Sequence, residues 1–182
     1  FIKKVTASAD STISFVHGTS DVVFDSTYKE YLFTYNNIHA GTNSADFSFN
    51  FTTNGSDWDV TKTSTMIRTL HGEDGTSGSV VYYDGTDANT LDLAQSTTFQ
   101  DLFADVNDNS DDSGSGTLRV FEPSSTTFVK HYMADSQFSH VTPRSMRMIV
   151  GGYANTTSAI TGVQFKMDSG NMDTGDIQGD AP

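Results

Sequence analysis

Apolar and polar residues alternate with a period of two along most of this chain, and that spacing predicts β-strands rather than helices. The clearest instance is Asp46-Phe47-Ser48-Phe49-Asn50-Phe51-Thr52, a half-buried strand. Asn54-Gly55 behind it is a strong turn signal leading into a hairpin or short loop. From Tyr28 to Ile38, the alternating Tyr31, Phe33 and Tyr35 around Leu32 predict a strand with two usable faces, central in its sheet. Further strands are expected at Thr12–Phe15, Val22–Phe24, Thr63–Leu70, Ser79–Tyr83, Thr117–Phe121, Thr127–Ala134, Ser145–Val150 and Ala159–Met167. Turn-forming residues separate them: His17-Gly18, Asp25-Ser26, His71–Gly75, Asp84-Gly85-Thr86-Asp87, Pro123-Ser124-Ser125, Pro143 and Asn155-Thr156. One segment is ambiguous, since Thr97 has the chemistry of a helix cap and Phe99, Leu102 and Phe103 have helical spacing, so at most one short helix is allowed near 97–104. Many short strands without alternating helices predict an all-β fold, a single antiparallel, jelly-roll-like β-sandwich over residues 1–182.

Composition narrows what such a domain does. With 182 residues and 35% hydrophobic content the chain buries one core, and with no cysteine it has neither disulfides nor thiolate metal sites. The net charge of −13, from 23 acidic and 10 basic residues, repels a phosphate backbone and argues against nucleic acid as a partner. It is compatible with a saline setting. No apolar run approaches the roughly 18 residues of a membrane-spanning helix, so membrane insertion is not expected. Phe1-Ile2-Lys3-Lys4 lacks the apolar region of a signal peptide, and Phe1 in place of Met implies loss of an initiator residue or something longer. There is no internal repeat and no coiled-coil heptad.

The order of strands and turns resembles the small β-sandwich virion proteins of tailed bacteriophages, especially marine ones. The resemblance is carried by Tyr28-Lys29-Glu30-Tyr31-Leu32, by Phe49-Asn50-Phe51 with Asn54-Gly55-Ser56, and by Arg68-Thr69-Leu70-His71-Gly72-Glu73-Asp74-Gly75. Gly116–Phe121 followed by Pro123-Ser124-Ser125 adds to it. So does the last third, Gly152–Val163 with Asp168-Ser169-Gly170-Asn171-Met172 and Gly175-Asp176-Ile177. These are turn and core residues, so they speak to fold lineage rather than chemistry. The resemblance implies a non-enzymatic structural protein on the virion exterior, as capsid decoration or a tail-associated component, with other virion proteins and further copies of itself as partners. Family members end in a short apolar strand, whereas this chain ends Gln178-Gly179-Asp180-Ala181-Pro182.

Candidate chemistry is sparse. Asp105, Asn107, Asn109 and Asp111 fall on alternate positions, as oxygen ligands do in calcium loops, although Ser110 and Gly116 replace the glycine and glutamate such a loop wants. Calcium is therefore the one candidate ion, and no cofactor is required. Glu30, Glu73 and Glu122 are the only glutamates and nothing fixes a pair across a cleft; the five histidines lack metal-binding spacing, and there is no Gly-x-Ser-x-Gly elbow. No catalytic residue is nominated. Trp58 between Asp57 and Asp59, with Tyr83 and Tyr153, has the aromatic-plus-carboxylate character of a sugar site. The alternative function is accordingly a lectin-like tail module that recognises a host surface glycan. Lys130, Arg144 and Arg147 are basic residues close together in an acidic chain and form a candidate docking patch for an acidic particle surface.

Overall fold

A computed structural model describes residues 1–83 and 91–181. Every described element is a strand: β1 Lys3–Thr6, β2 Thr12–Val16, β3 Glu30–Ala40, β4 Ala45–Thr52, β5 Lys62–Gly72, β6 Gly78–Tyr83, β7 Gln100–Val106, β8 Gly114–Phe121, β9 Lys130–His140, β10 Arg144–Ala154, β11 Gly162–Met167 and β12 Met172–Asp180. All pairings are antiparallel. They form one layer in the order β1-β12-β3-β8-β9-β10-β5-β6 and a second in the order β2-β11-β4-β7, joined at one corner where Val106 of β7 pairs with His140 of β9. The small layer interleaves early and late strands, as jelly-roll winding requires. The protein is thus an all-β, antiparallel sandwich.

Aromatic side chains fill the space between the layers. Tyr31, Phe33 and Tyr35 of β3 and Phe47, Phe49 and Phe51 of β4 all point inward and are fully buried, as their period of two demands. Phe165 of β11 lies within 6.5 Å, ring centre to ring centre, of Phe15, Phe33, Tyr35, Phe47 and Phe49. The Tyr35 ring lies across Gly116 of β8, where a Cβ would stand 2.6 Å from it, and its hydroxyl pairs with Ser136 Oγ at 2.6 Å. Burial raises the Tyr35 phenol far above its ordinary pKa, so the core favours its neutral form.

Several expectations need correction. Val22–Phe24 is not a strand. The chain turns at Gly18, whose φ is +77°, and then folds Val22 and Phe24 into the core, Phe24 lying 4.9 Å from Tyr31. The segment allowed to be a helix is a loop followed by β7, in which Leu102, Phe103 and Ala104 are consecutively buried because its pairing with β4 is broken by register shifts. Of the two outcomes expected at Asn54-Gly55, the structure shows a loop and not a hairpin, since β4 and β5 belong to different layers, and Asn54 Oδ1 accepts the backbone N–H groups of Ser56 and Asp57 there. The polar C-terminal stretch forms β12, an interior strand paired on both edges, with β1 and β3. The turn expected at Asp84–Asp87 lies outside the described residues.

Candidate functional site

The outward positions of the eight-stranded layer are built by strand alternation. Where Tyr132, Ala134, Met146, Met148, Val150 and Met66 face the core, Met133, Ile149 and Ile67 must face outward. The register sets Tyr82 of β6 opposite Ile67 of β5, and Ile67 opposite Ile149 of β10, so three large apolar side chains form one cross-strand row. Val80 and Met133 flank it. Exposures of 74% for Val80, 60% for Tyr82, 55% for Met133, 43% for Ile67 and 39% for Ile149 leave this group open to solvent. A shallow depression of about 300 Å³ between Arg119, Met133, Asp135 and Ile149 borders the row.

The charges around this surface are neutralised in place. Arg147 holds Asp135 through two hydrogen bonds, at 2.8 and 2.6 Å, and Arg119 lies 2.6 Å from Glu30. Lys4 pairs with Asp176 at 2.7 Å further along the same layer. On β5 and β10 the outward residues are Thr63, Thr65, Ile67, Thr69 and His71, and Ser145, Arg147, Ile149, Gly151 and Tyr153. None is a carboxylate, although the chain has 23 of them. Apolar exposure and charge neutrality therefore coincide on one face.

The residues nominated from sequence are dispersed. Trp58 lies in the loop between β4 and β5, its half-buried indole covering Gly162 on the outer side of the small layer, where a Cβ would meet the ring at 3.1 Å. Its carbonyl accepts a hydrogen bond from Asn50 Nδ2 at 2.7 Å. Asp57 is exposed and accepts from Asn54 Nδ2, and Asp59 is exposed near the Lys62 charge. Tyr153 stands on the outer face of the other layer, 6.2 Å from His131, and the backbone of Tyr83 pairs with Met66 at the edge of that layer. The structure does not bring Trp58 and Tyr153 to one surface.

The acidic loop is likewise self-contained. Asn107 and Asn109 both donate their side-chain amides to Asp112 Oδ2, at 2.7 and 3.1 Å, while the Asp105 carboxylate faces His140 at 3.8 Å. Asn107, Asn109, Asp111 and Asp112 line a small cavity with Glu73, His140 and Pro143. Among the described residues, no group of three or more histidine or carboxylate side chains is arranged to hold a metal ion.

Of the basic trio, only Arg147 reaches the outer face, already bound to Asp135. Arg144 sits at the loop end of the sandwich beside Glu73 and Asp74. Lys130 is fully buried, because it shares the inward phase of β9 with Tyr132 and Ala134, and its ammonium donates to the Thr156 carbonyl at 3.1 Å. Burial lowers the pKa of this amine.

Sequence reasoning missed two polar clusters. At one end of the sandwich, Lys62 is fully buried on β5, donating to Asn50 Oδ1 and, at 3.0 Å, to the Val60 carbonyl. Desolvation pulls its pKa down to about 7, against the opposing pull of Asp59. On the outer side of the small layer, the Asp101 carboxylate is raised well above its ordinary range by burial and by the charges of Asp46 and Asp168, with Lys166 opposing. Asp46 is raised to about 6 by burial, with Asp168 and Asp105 adding to the shift against a 2.8 Å hydrogen bond from the Asp105 amide.

A pH dependence follows. The folded state holds the Asp46 proton more tightly than the unfolded chain, whose aspartate titrates near 3.8. Its contribution is fully present below that value and is lost as pH rises through about 6. Denaturant unfolding should therefore show stability falling from pH 4 to pH 7, and Asp46→Asn should flatten that fall. An unchanged slope in the variant would place the titration elsewhere.

Fold and surface together define a β-sandwich whose larger layer carries an exposed apolar row, with the charges beside it paired. No protein-family model, no curated protein and no solved structure matches the chain.

Proposed function

We propose that this chain is a non-enzymatic structural module that docks onto a larger protein assembly through the outer face of its eight-stranded layer. The assembly we propose is the exterior of a tailed bacteriophage particle, with the chain serving as capsid decoration or a tail-associated component. The observation that carries the docking reading is the exposed row Tyr82–Ile67–Ile149, with Val80, on strands whose outward positions lack carboxylates. It is flanked by Met133 on β9, where the one outward carboxylate, Asp135, is held by Arg147. Exposed apolar groups of this kind mark interaction surfaces, and neutrality lets a partner approach a chain that otherwise carries net charge −13. The choice of a phage particle rests on the sequence resemblance described above.

A second reading, recognition of a host glycan, is favoured by the solvent-facing part of Trp58 between the exposed carboxylates of Asp57 and Asp59. It is the weaker of the two, because the indole also anchors its own loop on Gly162.

Cosedimentation with candidate particles tests the docking reading. The double substitution Met133→Glu with Ile149→Glu places two carboxylates on the apolar row and should weaken binding by ~10-fold or more, since charged groups are excluded from interface centres. Both side chains are exposed, so the melting temperature should change little. Particle binding equal to that of the wild type would contradict docking through this face.

A further inference from the structure

β6 ends the eight-stranded layer. It pairs with β5 along one edge, from Gly78 opposite His71 to Tyr83 opposite Met66, and no strand among the described residues pairs with its other edge. Such an edge presents backbone donors and acceptors that another extended chain satisfies, and folded proteins ordinarily guard it with charge, proline, a bulge or brevity. The opposite margin of the same layer is guarded in this way: β1 is four residues long and carries Lys3 and Lys4. β6 is not guarded. Its six residues, Gly78-Ser79-Val80-Val81-Tyr82-Tyr83, contain no charge and no proline, and its pairing with β5 runs without a register shift.

We infer that β6 is a self-association edge, where two copies of this chain pair antiparallel about a two-fold axis to make one continuous sheet. The inference rests on the structural-module reading above and adds the identity of one partner, a second copy.

Charge and register favour that occupant. Two copies each bearing −13 repel one another over most of their surface, but β6 and the outward positions of β5 and β10 bring no carboxylate to the junction. Residues directly opposite in an antiparallel pair share a face, so outward residues must meet outward residues. A two-fold axis through Val81 satisfies this requirement and sets Val80 of each copy against Tyr82 of the other. The two most exposed apolar residues of the row are then covered by each other. The rest of the row, Ile67, Ile149 and Met133, stays outward and extends across both copies as a docking face of doubled width.

Sedimentation velocity on the full chain over a range of concentrations tests this inference, together with two variants. The wild type is expected to be a dimer. Val80→Lys should weaken association by ~10-fold or more, because it sets two ammonium groups beside the axis, with little change in melting temperature at so exposed a position. Val81→Cys supplies the only thiol in the chain and should give a dimer with a short thiol–thiol cross-linker. A wild-type monomer throughout, or a dimer that Val80→Lys leaves intact, overturns the inference. A monomer that still binds particles would sink the dimer and spare the docking face, whereas a cross-linked dimer that binds no particle would support the dimer and count against the docking reading.

Discussion

Replacing Phe165 with alanine is expected to remove about 3–5 kcal/mol of unfolding free energy, the range for truncating a fully buried phenylalanine. The upper part of that range is expected here because this ring lies at the centre of the aromatic core. Its nearest ring centres are those of Phe33 at 5.7 Å and Phe47 at 5.8 Å, and Phe15, Tyr35 and Phe49 stand at 6.3–6.5 Å. These neighbours come from three strands, β2 and β4 of one layer and β3 of the other, so no single side chain moves to fill the space and a cavity remains. Small domains are stable by only about 5–15 kcal/mol, so the variant should be near its folding limit. Urea unfolding of the two proteins measures the difference directly. A loss below about 1 kcal/mol would mean that the layers do not meet around Phe165.

Lys62 should give the protein an unusual alkaline gain in stability. Its amine titrates near 7 when folded and near 10.5 in the unfolded chain, so between these values the unfolded chain binds the extra proton. Unfolding free energy then rises with pH, and the contribution is lost as pH falls from 10.5 toward 7. At about 1.4 kcal/mol per pH unit of displacement the full effect is on the order of 5 kcal/mol, of which relaxation and water entry will leave several. Burial lowers the Lys130 amine too, in the same direction. Above pH 10 the buried phenols of Tyr35 and Tyr132, both raised, oppose the gain, so the useful window closes near there. Unfolding at pH 7 and pH 9.5 should show the wild type gaining stability, and Lys62→Met should lose most of that gain. The methionine leaves Asn50 Oδ1 still accepting the Phe51 amide at 2.8 Å. A wild type whose stability is flat across this window would mean that Lys62 is hydrated.

The inner faces of the sandwich were legible because strand alternation is a local property. Tyr31, Phe33 and Tyr35, and Phe47, Phe49 and Phe51, are buried where their spacing places them. The other side of β4 was not legible. Ser48, Asn50 and Thr52 read as solvent-facing, yet all are buried, Asn50 beneath chain that supplies the Trp58 and Thr97 carbonyls. Cover provided by a distant loop leaves no trace in the strand it covers. β12 escaped notice because Met172–Asp180 has only Met172 and Ile177 as buried apolar anchors, and its place between β1 and β3 comes from pairing rather than pattern. β7 escaped because three consecutive buried residues obey neither period. Lys130 is different, since its phase with Tyr132 and Ala134 was visible in the chain, and attention to charge rather than alternation placed it at the surface. The apolar row of the outer face depends on register among β10, β5 and β6, which no single strand encodes.

That row, with the charges beside it paired, is the basis for our proposal that the chain is a docking module, and the sequence resemblance is the basis for proposing a phage exterior as the assembly it docks on. The most direct test is electron microscopy of candidate tailed phage particles labelled with gold-tagged antibody against this chain. Gold on the outside of intact particles, over the head for a decoration protein or on the tail for a tail component, is the expected result. Intact particles without gold would contradict the virion assignment and leave a free glycan-binding module, with Trp58 at its surface, as the better account.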